Sequence, residues 1–247
     1  MLNETTVKKL HEMKLSVMAG AFRDQTKDSA FIDMPFEERF GLLVDSEWTN
    51  RKNNGLSRLI RAADYAFCDA CVEDIEYHPD RCLDKERIAR FSTCIYIQER
   101  HNIIILGATG SGKTYLSNAL GMAASRNFYS VRYTRLPDLL GELAIARSEG
   151  LFRKVIKVYK QVKLLIIDEW LLFPLKEAES RDLLEIIEAR HKKASTIFCS
   201  QSDVGGWHDK IGEPTLADAI CDRIAHDSYT VVVKGEDSMR KRKGLKR

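Results

Sequence analysis

The stretch GATGSGKT, from Gly107 to Thr114, directly follows the apolar run NIIIL at residues 102–106 and precedes the helical pattern TYLSNALGMAAS. It matches the phosphate-binding pattern G-x-x-x-x-G-K-[ST] in the required context, between a strand and a helix. Its glycines let backbone N–H groups point inward around phosphates, and the start of the following helix adds positive potential. We therefore expect Lys113 to reach the β- and γ-phosphates of ATP and Thr114 to bind Mg²⁺. The predicted nucleotide-binding residues are Gly107, Ala108, Thr109, Gly110, Ser111, Gly112, Lys113, Thr114 and Tyr115.

An acidic pair ends a second apolar run, KLLIIDEW, further along the chain. Asp168 stands at the predicted strand tip, where it would hold Mg²⁺ directly or through water. Glu169 follows it and is placed to polarise the attacking water. The alternative is that these are two solvated acids after an ordinary strand. The phosphate-binding loop at 107–114, earlier in the chain, makes this alternative less favoured. Because a hydrolase needs a base for water, the pair favours ATP hydrolysis over phosphorylation of a small molecule.

Apolar runs alternate with helical patterns through the central and C-terminal parts of the chain. Strands are predicted at residues 102–106, 131–134, 164–168, 196–200 and 229–233. Most are nearly continuously apolar, which is typical of a parallel sheet covered on both faces. The pattern predicts a doubly wound α/β domain with a five-stranded parallel sheet.

The first part of the chain has helical periodicity instead. One helix is predicted over residues 3–27, and a second begins at Pro35 and ends where NNG at 53–55 interrupts it. A short third helix follows at 56–67. The resulting predicted organisation is a helical, DNA-binding N-terminal domain, a polar linker, an ATPase domain and a basic tail, at residues 1–67, 68–84, 85–239 and 240–247.

Two more polar residues are candidate catalytic residues because of their place in the sheet. Gln201 follows the predicted strand 196–200, and ligands of open α/β sheets lie beyond the carboxyl ends of the strands. Its amide would orient the attacking water or touch the γ-phosphate, unless it is an ordinary exposed glutamine. Arg223 lies near the end of the helix before the last strand. It forms either a surface salt bridge or a finger that completes the site of a neighbouring subunit.

The formal net charge of the chain is +3. Basic residues collect in three segments, at 51–61, at 143–163 and in the last eight residues. The last eight residues hold six bases and no acid, so subtracting them leaves a net charge of −3. Binding to phosphate backbones without base readout is a use that the three segments share. Solvated helix faces and a disordered tail are the alternatives. The candidate DNA-binding residues are Arg51, Lys52, Arg58, Arg61, Arg153, Lys154 and Lys157.

Other classes of site and location are less well supported. Cys68, Cys71, His78 and Cys82 have a spacing that can hold zinc, but a solvated stretch that carries cysteines is favoured. No apolar run approaches the roughly 20 residues that span a bilayer. The first residues lack the apolar core of a signal peptide. We expect a cytoplasmic protein without a membrane partner.

Taken together, several stretches resemble the IstB-type transposition helper ATPases of bacterial insertion sequences, relatives of the DnaC helicase loaders and of DnaA in the AAA+ class. The resemblance covers roughly residues 2 to 241 and is strongest from 100 to 240. It implies an AAA+ P-loop domain after a small helical domain, without the usual large helical lid. The stretches are NIIILGATGSGKTYLSNALG, SVRYTRLPDLLGEL, LLIIDEW, STIFCSQSDVGGW, EPTLADAICDRI and VVVKGEDSMR.

The resemblance also implies a function. ATP would drive assembly of a homo-oligomer on duplex DNA, largely without sequence preference, and the assembly would capture and deform target DNA. It would then recruit and stimulate a partner transposase, with hydrolysis of ATP. A helicase loader with the same ATP chemistry and a non-catalytic, ATP-controlled interaction switch are the alternatives.

Matched positions assign roles to single residues. Lys113 and Thr114 fall in the Walker A motif, and Asp168 and Glu169 in Walker B. The sensor-1 residue, the arginine finger and a late nucleotide-sensing arginine would be Gln201, Arg223 and Arg240. The chain departs from the family pattern in having Gln201 for asparagine, Trp170 and Leu171 for glycine-tyrosine, and Asp203 for proline. None of these departures removes a catalytic group.

Overall fold

The computed structural model describes residues 2–235 and 238–243, without the side chains of Leu2, Arg240 and Lys243. The predicted role of Arg240 and the end of the predicted tail therefore lie outside the described residues. The chain forms two compact units, one up to Arg58 and one from Leu59 onward. The predicted domain boundary at residue 67 falls inside the second unit. No helix in the described part of the chain is long and apolar enough to cross a membrane.

The first unit contains helices α1 (Leu2–Glu12) and α2 (Ser16–Lys27), a 3-10 turn (Ser29–Phe31) and most of α3 (Phe36–Ala63). The single helix predicted over residues 3–27 is wrong, because the chain turns at Lys14, whose φ is 59°. The predicted break at 53–55 is also wrong, since α3 continues through it. A glycine ends a helix by adopting positive φ, and Gly55 is not among the glycines with positive φ.

Glu47 of α3 connects α3 to the start of α2. Its carboxylate accepts hydrogen bonds from the backbone N–H groups of Val17 at 3.0 Å and Met18 at 3.1 Å. These N–H groups lie in the first turn of α2, where no intrahelical acceptor exists. Arg51 donates to the same carboxylate at 2.8 Å. The hydrogen bond from Arg51, followed by those from the two amides, holds the pKa of Glu47 below its usual value.

We expect Glu47→Gln to destabilise the first unit by about 1–2 kcal/mol at pH 7, since hydrogen bonds to charged groups are lost. A carboxyl whose folded pKa is lowered stabilises the protein above its unfolded pKa, and this stability is lost as pH falls through the folded pKa. The wild type should therefore lose more stability than the variant below about pH 4.5. Hydrogen exchange of the α2 amides at pH 7 and at pH 3.5 measures the difference. An equal difference between wild type and variant at both pH values would contradict this account.

The second unit is built on five parallel strands, which lie within two residues of their predicted bounds: β1 (Asn102–Leu106), β2 (Val131–Arg135), β3 (Leu164–Trp170), β4 (Ser195–Ser200) and β5 (Ser228–Val232). Their order is β2-β3-β4-β1-β5, and every pairing is parallel. The predicted five-stranded parallel sheet is confirmed. Because β1 lies between β4 and β5, the loop that leaves its carboxyl end emerges from the interior of the sheet.

Helices cover both faces of this sheet, as the apolar strands predicted. One buried cluster joins the sheet to α4 (Lys85–Ser92) and α6 (Lys113–Arg126), and a second joins it to the helices from α7 (Leu136–Ser148) to α11 (Pro214–Ala225). The helices are α4 (Lys85–Ser92), α5 (Ile95–Glu99), α6 (Lys113–Arg126), α7 (Leu136–Ser148), α8 (Phe152–Gln161), α9 (Glu177–Arg190), α10 (Val204–Ile211), α11 (Pro214–Ala225) and α12 (Met239–Lys243).

The segment predicted as a polar linker, residues 68–84, is irregular but is not a solvated connection. Ala70, Ile75 and Arg81 are buried, and the first two belong to the core cluster that includes α6. A 3-10 turn, Pro79–Arg81, leads into α4. The prediction failed because these buried residues follow no helical or strand period. Irregular backbone can still bury side chains when neighbouring elements supply the surface.

Candidate nucleotide site

Glycines determine the shape of the loop between β1 and α6. Gly110 and Gly112 have φ of 80° and 95°, where a side chain is strained. A Cβ added at Gly107 would lie 2.4 Å from the carbonyl oxygen of Val233. The N–H of Gly107 donates to the carbonyl of Ser200 at 3.2 Å, which ties the loop to β4. The loop therefore depends on glycine at all three positions.

Lys113 is the first residue of α6 and is 9% exposed. Its Nζ donates to the carbonyls of Gly107 at 2.7 Å and Ala108 at 2.9 Å, so the ammonium lies within the loop. Burial lowers the pKa of Lys113. A phosphate is a stronger partner for this ammonium than neutral carbonyls are. The buried hydroxyl of Ser111 has no hydrogen-bond partner among the described residues, which also fits a loop that receives an anion.

The two predicted metal-binding residues meet directly. The hydroxyl of Thr114 donates to Oδ2 of Asp168 at 2.6 Å, and Asp168 is 5% exposed. Hydroxyl and carboxylate oxygens are the ligand types that Mg²⁺ prefers, so this pair fits the ion. Tyr133 of β2 donates to the same oxygen at 3.2 Å. Burial, and then the charge of Asp168, raises the pKa of Tyr133 and keeps the phenol a donor.

Glu169 lies at an irregular point of β3. The pairing of β3 with β4 shifts register between Ile167 and Trp170, and Glu169 has φ of 54°. Its side chain is 36% exposed, and its Oε1 lies 3.8 Å from Nη1 of Arg135. The bulge thus turns Glu169 toward the cavity while Asp168 stays beneath the loop. Arg135, at the end of β2, is an additional charged neighbour that the sequence did not predict.

A cavity of about 550 Å³ lies above these residues, a size typical of small-molecule sites. One wall combines the apolar side chains of Phe67, Ile75 and Tyr115, with the rings of Phe67 and Tyr115 5.9 Å apart, and the acids Asp69, Asp74 and Glu76. Such a wall fits the base of a nucleotide whose phosphates occupy the loop. Much of it comes from residues 66–76, where no sequence motif indicated a site. The lining also includes Arg81, Gly110, Gly112, Lys113, Thr114, Tyr133, Arg135, Asp168, Glu169 and Met239.

Gln201 directly follows β4, which pairs with β1, the strand before the phosphate-binding loop. Its side chain is exposed and does not line this cavity. The preceding residue, Ser200, is buried and accepts a hydrogen bond from Nε1 of Trp207 at 3.0 Å. Trp207 also donates to the carbonyl of Ser202 at 2.8 Å. The buried tryptophan therefore fixes the loop that carries Gln201, while the predicted catalytic role of Gln201 stays a prediction.

Arg223 lies at the amino ends of the parallel strands, whereas the phosphate-binding loop lies at their carboxyl ends. It lines a small cleft with Asn102 and Thr196, which stand near the amino ends of β1 and β4. Its Nη2 donates to the carboxylate of Glu188 at 3.1 Å, and its side chain is 30% exposed. The structure therefore does not bring Arg223 to the nucleotide site of its own subunit.

The predicted DNA-binding residues differ in their surroundings. Arg153, Lys154 and Lys157 are exposed on α8 and form no ion pair within the described part of the chain. In the first unit, Arg51 contacts Glu47, and Lys52 lies 5.2 Å from the ring centre of Trp48. Arg58 and Arg61 are exposed.

The four residues with zinc spacing do not converge. Cys71 contacts Glu73, and His78 contacts Glu76. Cys82 is exposed and lies near backbone carbonyls. No group of three metal-ligating side chains occurs among the residues that the structure describes.

A family model described as "IstB-like ATP binding protein" matches residues 8–247. An insertion-sequence ATP-binding protein of Sinorhizobium fredii, y4pL, is 38% identical over 240 residues, which are 97% of this chain and 98% of the relative. The IS1162 ATP-binding protein of Pseudomonas fluorescens is 39% identical over 201 residues, 81% of this chain and 87% of the relative.

Solved structures share the fold at lower identity. DnaI matches with a TM-score of 0.59 and 19% identity, over 72% of this chain and 94% of that chain. The DnaC helicase loader matches with a TM-score of 0.56 and 21% identity, over 67% and 97%. AMPPCP-bound DnaA from Aquifex aeolicus matches with a TM-score of 0.58 and 19% identity, over 72% and 54%. The second unit therefore has the AAA+ P-loop fold.

Proposed function

This chain belongs to the family of IstB-like ATP-binding proteins of insertion sequences, and from this membership we propose that it is an ATP-hydrolysing helper of a DNA transposase. ATP drives the assembly of subunits on duplex DNA, the assembly captures target DNA and recruits the transposase, and hydrolysis releases it. The observation that carries the ATPase part is the hydrogen bond between Thr114 and Asp168 beneath the loop, with Glu169 beside it.

The side chains divide the proposed hydrolysis between them. Thr114 and Asp168 would hold Mg²⁺, which neutralises charge on the phosphate oxygens when bound. Lys113 exchanges its carbonyl partners for the phosphates. Glu169 takes a proton from water as the water oxygen bonds to the γ-phosphorus. The bond from that phosphorus to the bridging oxygen breaks, and ADP leaves.

Arg223 supports a site that is shared between subunits. Because it lies near the amino ends of the strands and the loop lies at their carboxyl ends, its guanidinium does not reach the ATP of its own subunit. It would leave its ion pair with Glu188 to reach the ATP of a neighbour. An arginine from a neighbour stabilises charge on the transferring phosphoryl group. Assembly and hydrolysis would then depend on one another. Gln201, whose exposed side chain does not line the cavity of the single subunit, would have to turn toward the phosphates to take part.

The exposed basic face of α8 supports DNA binding without base readout. Replacing Arg153, Lys154 and Lys157 together with glutamine removes three positive charges that can pair with DNA phosphates. We expect the slope of log affinity against log salt, which is negative, to become shallower by about 0.9 for each phosphate that is no longer neutralised. Affinity should fall alike for DNA of unrelated sequence. Fluorescence anisotropy of labelled duplexes at several salt concentrations measures both quantities.

A matched control replaces Lys85, Lys192 and Lys193, which are also exposed, with glutamine. The control should keep most of the wild-type affinity and salt slope. If the α8 variant and the control lose affinity equally, net charge rather than the α8 face determines binding. That result would move the DNA-binding surface away from α8.

A second candidate function is a helicase loader, which the fold shared with DnaI and DnaC favours. The two functions differ in the partner protein rather than in ATP chemistry. Purified tagged chain, loaded with ATP and duplex DNA, can be mixed separately with an insertion-sequence transposase and with a replicative helicase from the same source. Retention of the transposase alone supports our proposal, and retention of the helicase alone supports the loader.

An ATP-controlled switch would instead bind a protein partner in an ATP-dependent, salt-independent manner and would not bind DNA.

A further inference from the structure

Arg81 lies well before the phosphate-binding loop in sequence but contacts it in the structure. It is the last residue of the 3-10 turn that precedes α4 and is 4% exposed. Its Nη2 donates to the carbonyl of Ser111 at 3.0 Å, and its Nη1 donates to the carbonyl of Glu76. Its own carbonyl accepts from the N–H of Lys234 at 3.0 Å. Both its backbone and its guanidinium are therefore fixed.

The hydrogen bond to Ser111 determines how one peptide group of the loop is turned. In a planar trans peptide, the carbonyl and the following N–H point in opposite directions. Because Arg81 binds the carbonyl of Ser111, it also fixes the direction of the N–H of Gly112, which belongs to the same peptide group and points the opposite way. We propose that Arg81 is a positioning residue of the nucleotide site, which holds the N–H of Gly112 toward the phosphates of ATP.

Gly112 shows how closely the guanidinium approaches the loop. A Cβ added at Gly112 would lie 2.8 Å from Nη2 of Arg81. Glycine at this position therefore serves the positive φ of the loop and also the approach of Arg81. The planar fork of arginine reaches the two carbonyls at once, which a lysine ammonium cannot do with the same geometry. Arg81 thereby connects the cavity wall at Glu76 with the phosphate-binding loop.

The burial of the Arg81 guanidinium is only partly compensated by its neighbours. Its Nε is buried without an acceptor among the described residues. Burial lowers its pKa, the nearby carboxylate of Glu76 opposes this effect, and the positive charge of Arg242, which forms an ion pair with Asp80, adds to it. Incompletely paired buried charges are costly for folding and often mark functional sites. A polyphosphate in the loop would place negative charge next to this guanidinium.

The inference rests on the proposed binding of ATP at the loop, and its test uses probes that separate phosphates from the base. Displacement of a fluorescent ADP analogue measures the affinities of ADP, inorganic tripolyphosphate and adenosine. We expect Arg81→Gln to weaken ADP and tripolyphosphate binding by about 10- to 100-fold, as for lost hydrogen bonds that involve a charge. Adenosine binding should change less than about twofold. Arg90→Gln, at an exposed arginine of α4, should change none of the three.

Arg81→Lys keeps the charge but not the fork, and provides a variant that perturbs the fold less. We expect it to recover part of the tripolyphosphate affinity that Arg81→Gln loses. If either variant lowers the melting temperature without nucleotide but leaves the ratio of tripolyphosphate to adenosine affinity unchanged, Arg81 is only structural and the inference is wrong. If the wild type itself binds neither ADP nor tripolyphosphate, the proposed function fails first. Lys113→Ala should lose the binding of ADP and tripolyphosphate whether or not Arg81 is a positioning residue. This variant therefore shows that displacement reports on binding at the loop.

Discussion

Replacing Glu169 with glutamine is expected to lower ATP hydrolysis by about 10²- to 10⁴-fold, the usual contribution of a general base. Glutamine keeps the size of the side chain at the bulge of β3, but its amide cannot take a proton from water. Lys113, Thr114 and Asp168 are unchanged, so ATP binding and ATP-dependent assembly on DNA should persist. Steady-state phosphate release measures hydrolysis, and sedimentation with labelled ATP measures binding and assembly.

A control for this variant is Glu99→Gln, because Glu99 is exposed and does not line the cavity. It should hydrolyse ATP at the wild-type rate. A Glu169→Gln rate within a few-fold of wild type would mean that another group activates the water. Loss of ATP binding together with hydrolysis would mean that Glu169 shapes the site instead of acting as its base.

The second large effect is expected for Arg223→Ala, which should lower hydrolysis by the assembled protein by about 10³-fold or more. The affinity of a single subunit for ATP should not change, because Arg223 lies at the amino ends of the strands, away from the phosphate-binding loop of its own subunit. Glu188→Gln is a matched control, since it breaks the same ion pair but keeps the guanidinium. A partly exposed pair of this kind contributes little to stability.

Mixing the two inactive variants provides a direct test of sharing between subunits. An Arg223→Ala subunit still has Glu169, and a Glu169→Gln subunit still has Arg223. Where they are neighbours in the right order, one interface has both groups, so mixed assemblies should recover part of the hydrolysis rate. Mixed assemblies without any recovery would contradict the proposed role of Arg223 in a neighbouring site.

Sequence patterns predicted the sheet and the phosphate-binding loop because both depend on local features. Buried parallel strands are continuously apolar, and GATGSGKT contains the glycines that its backbone requires. The acidic pair could be placed because Asp168 and Glu169 directly follow such a strand. The hydrogen bond between Thr114 and Asp168 then follows from the topology, since the ends of parallel strands meet at one edge.

Other parts of the site depend on contacts between distant segments, which periodicity does not reveal. Tyr133 and Arg135 are near Asp168 and Glu169 only because β2 pairs with β3. Arg81 and most of the cavity wall at residues 66–76 lie in irregular backbone that was predicted as a linker, and Phe67 lies where the end of a helix was predicted. The distribution of charge misled in a similar way, because Arg51 stands in a basic stretch but contacts Glu47, one turn earlier on α3.

The central claim is that ATP drives assembly on DNA, and analytical sedimentation of the purified chain with random duplex DNA tests it most directly. The comparison uses ATP, ADP and no nucleotide, with Lys113→Ala as the control that should not respond to ATP. We predict large assemblies that contain DNA only when wild-type protein and ATP are both present. The same sedimentation in all three conditions, or ATP-dependent assembly by Lys113→Ala, would contradict the claim.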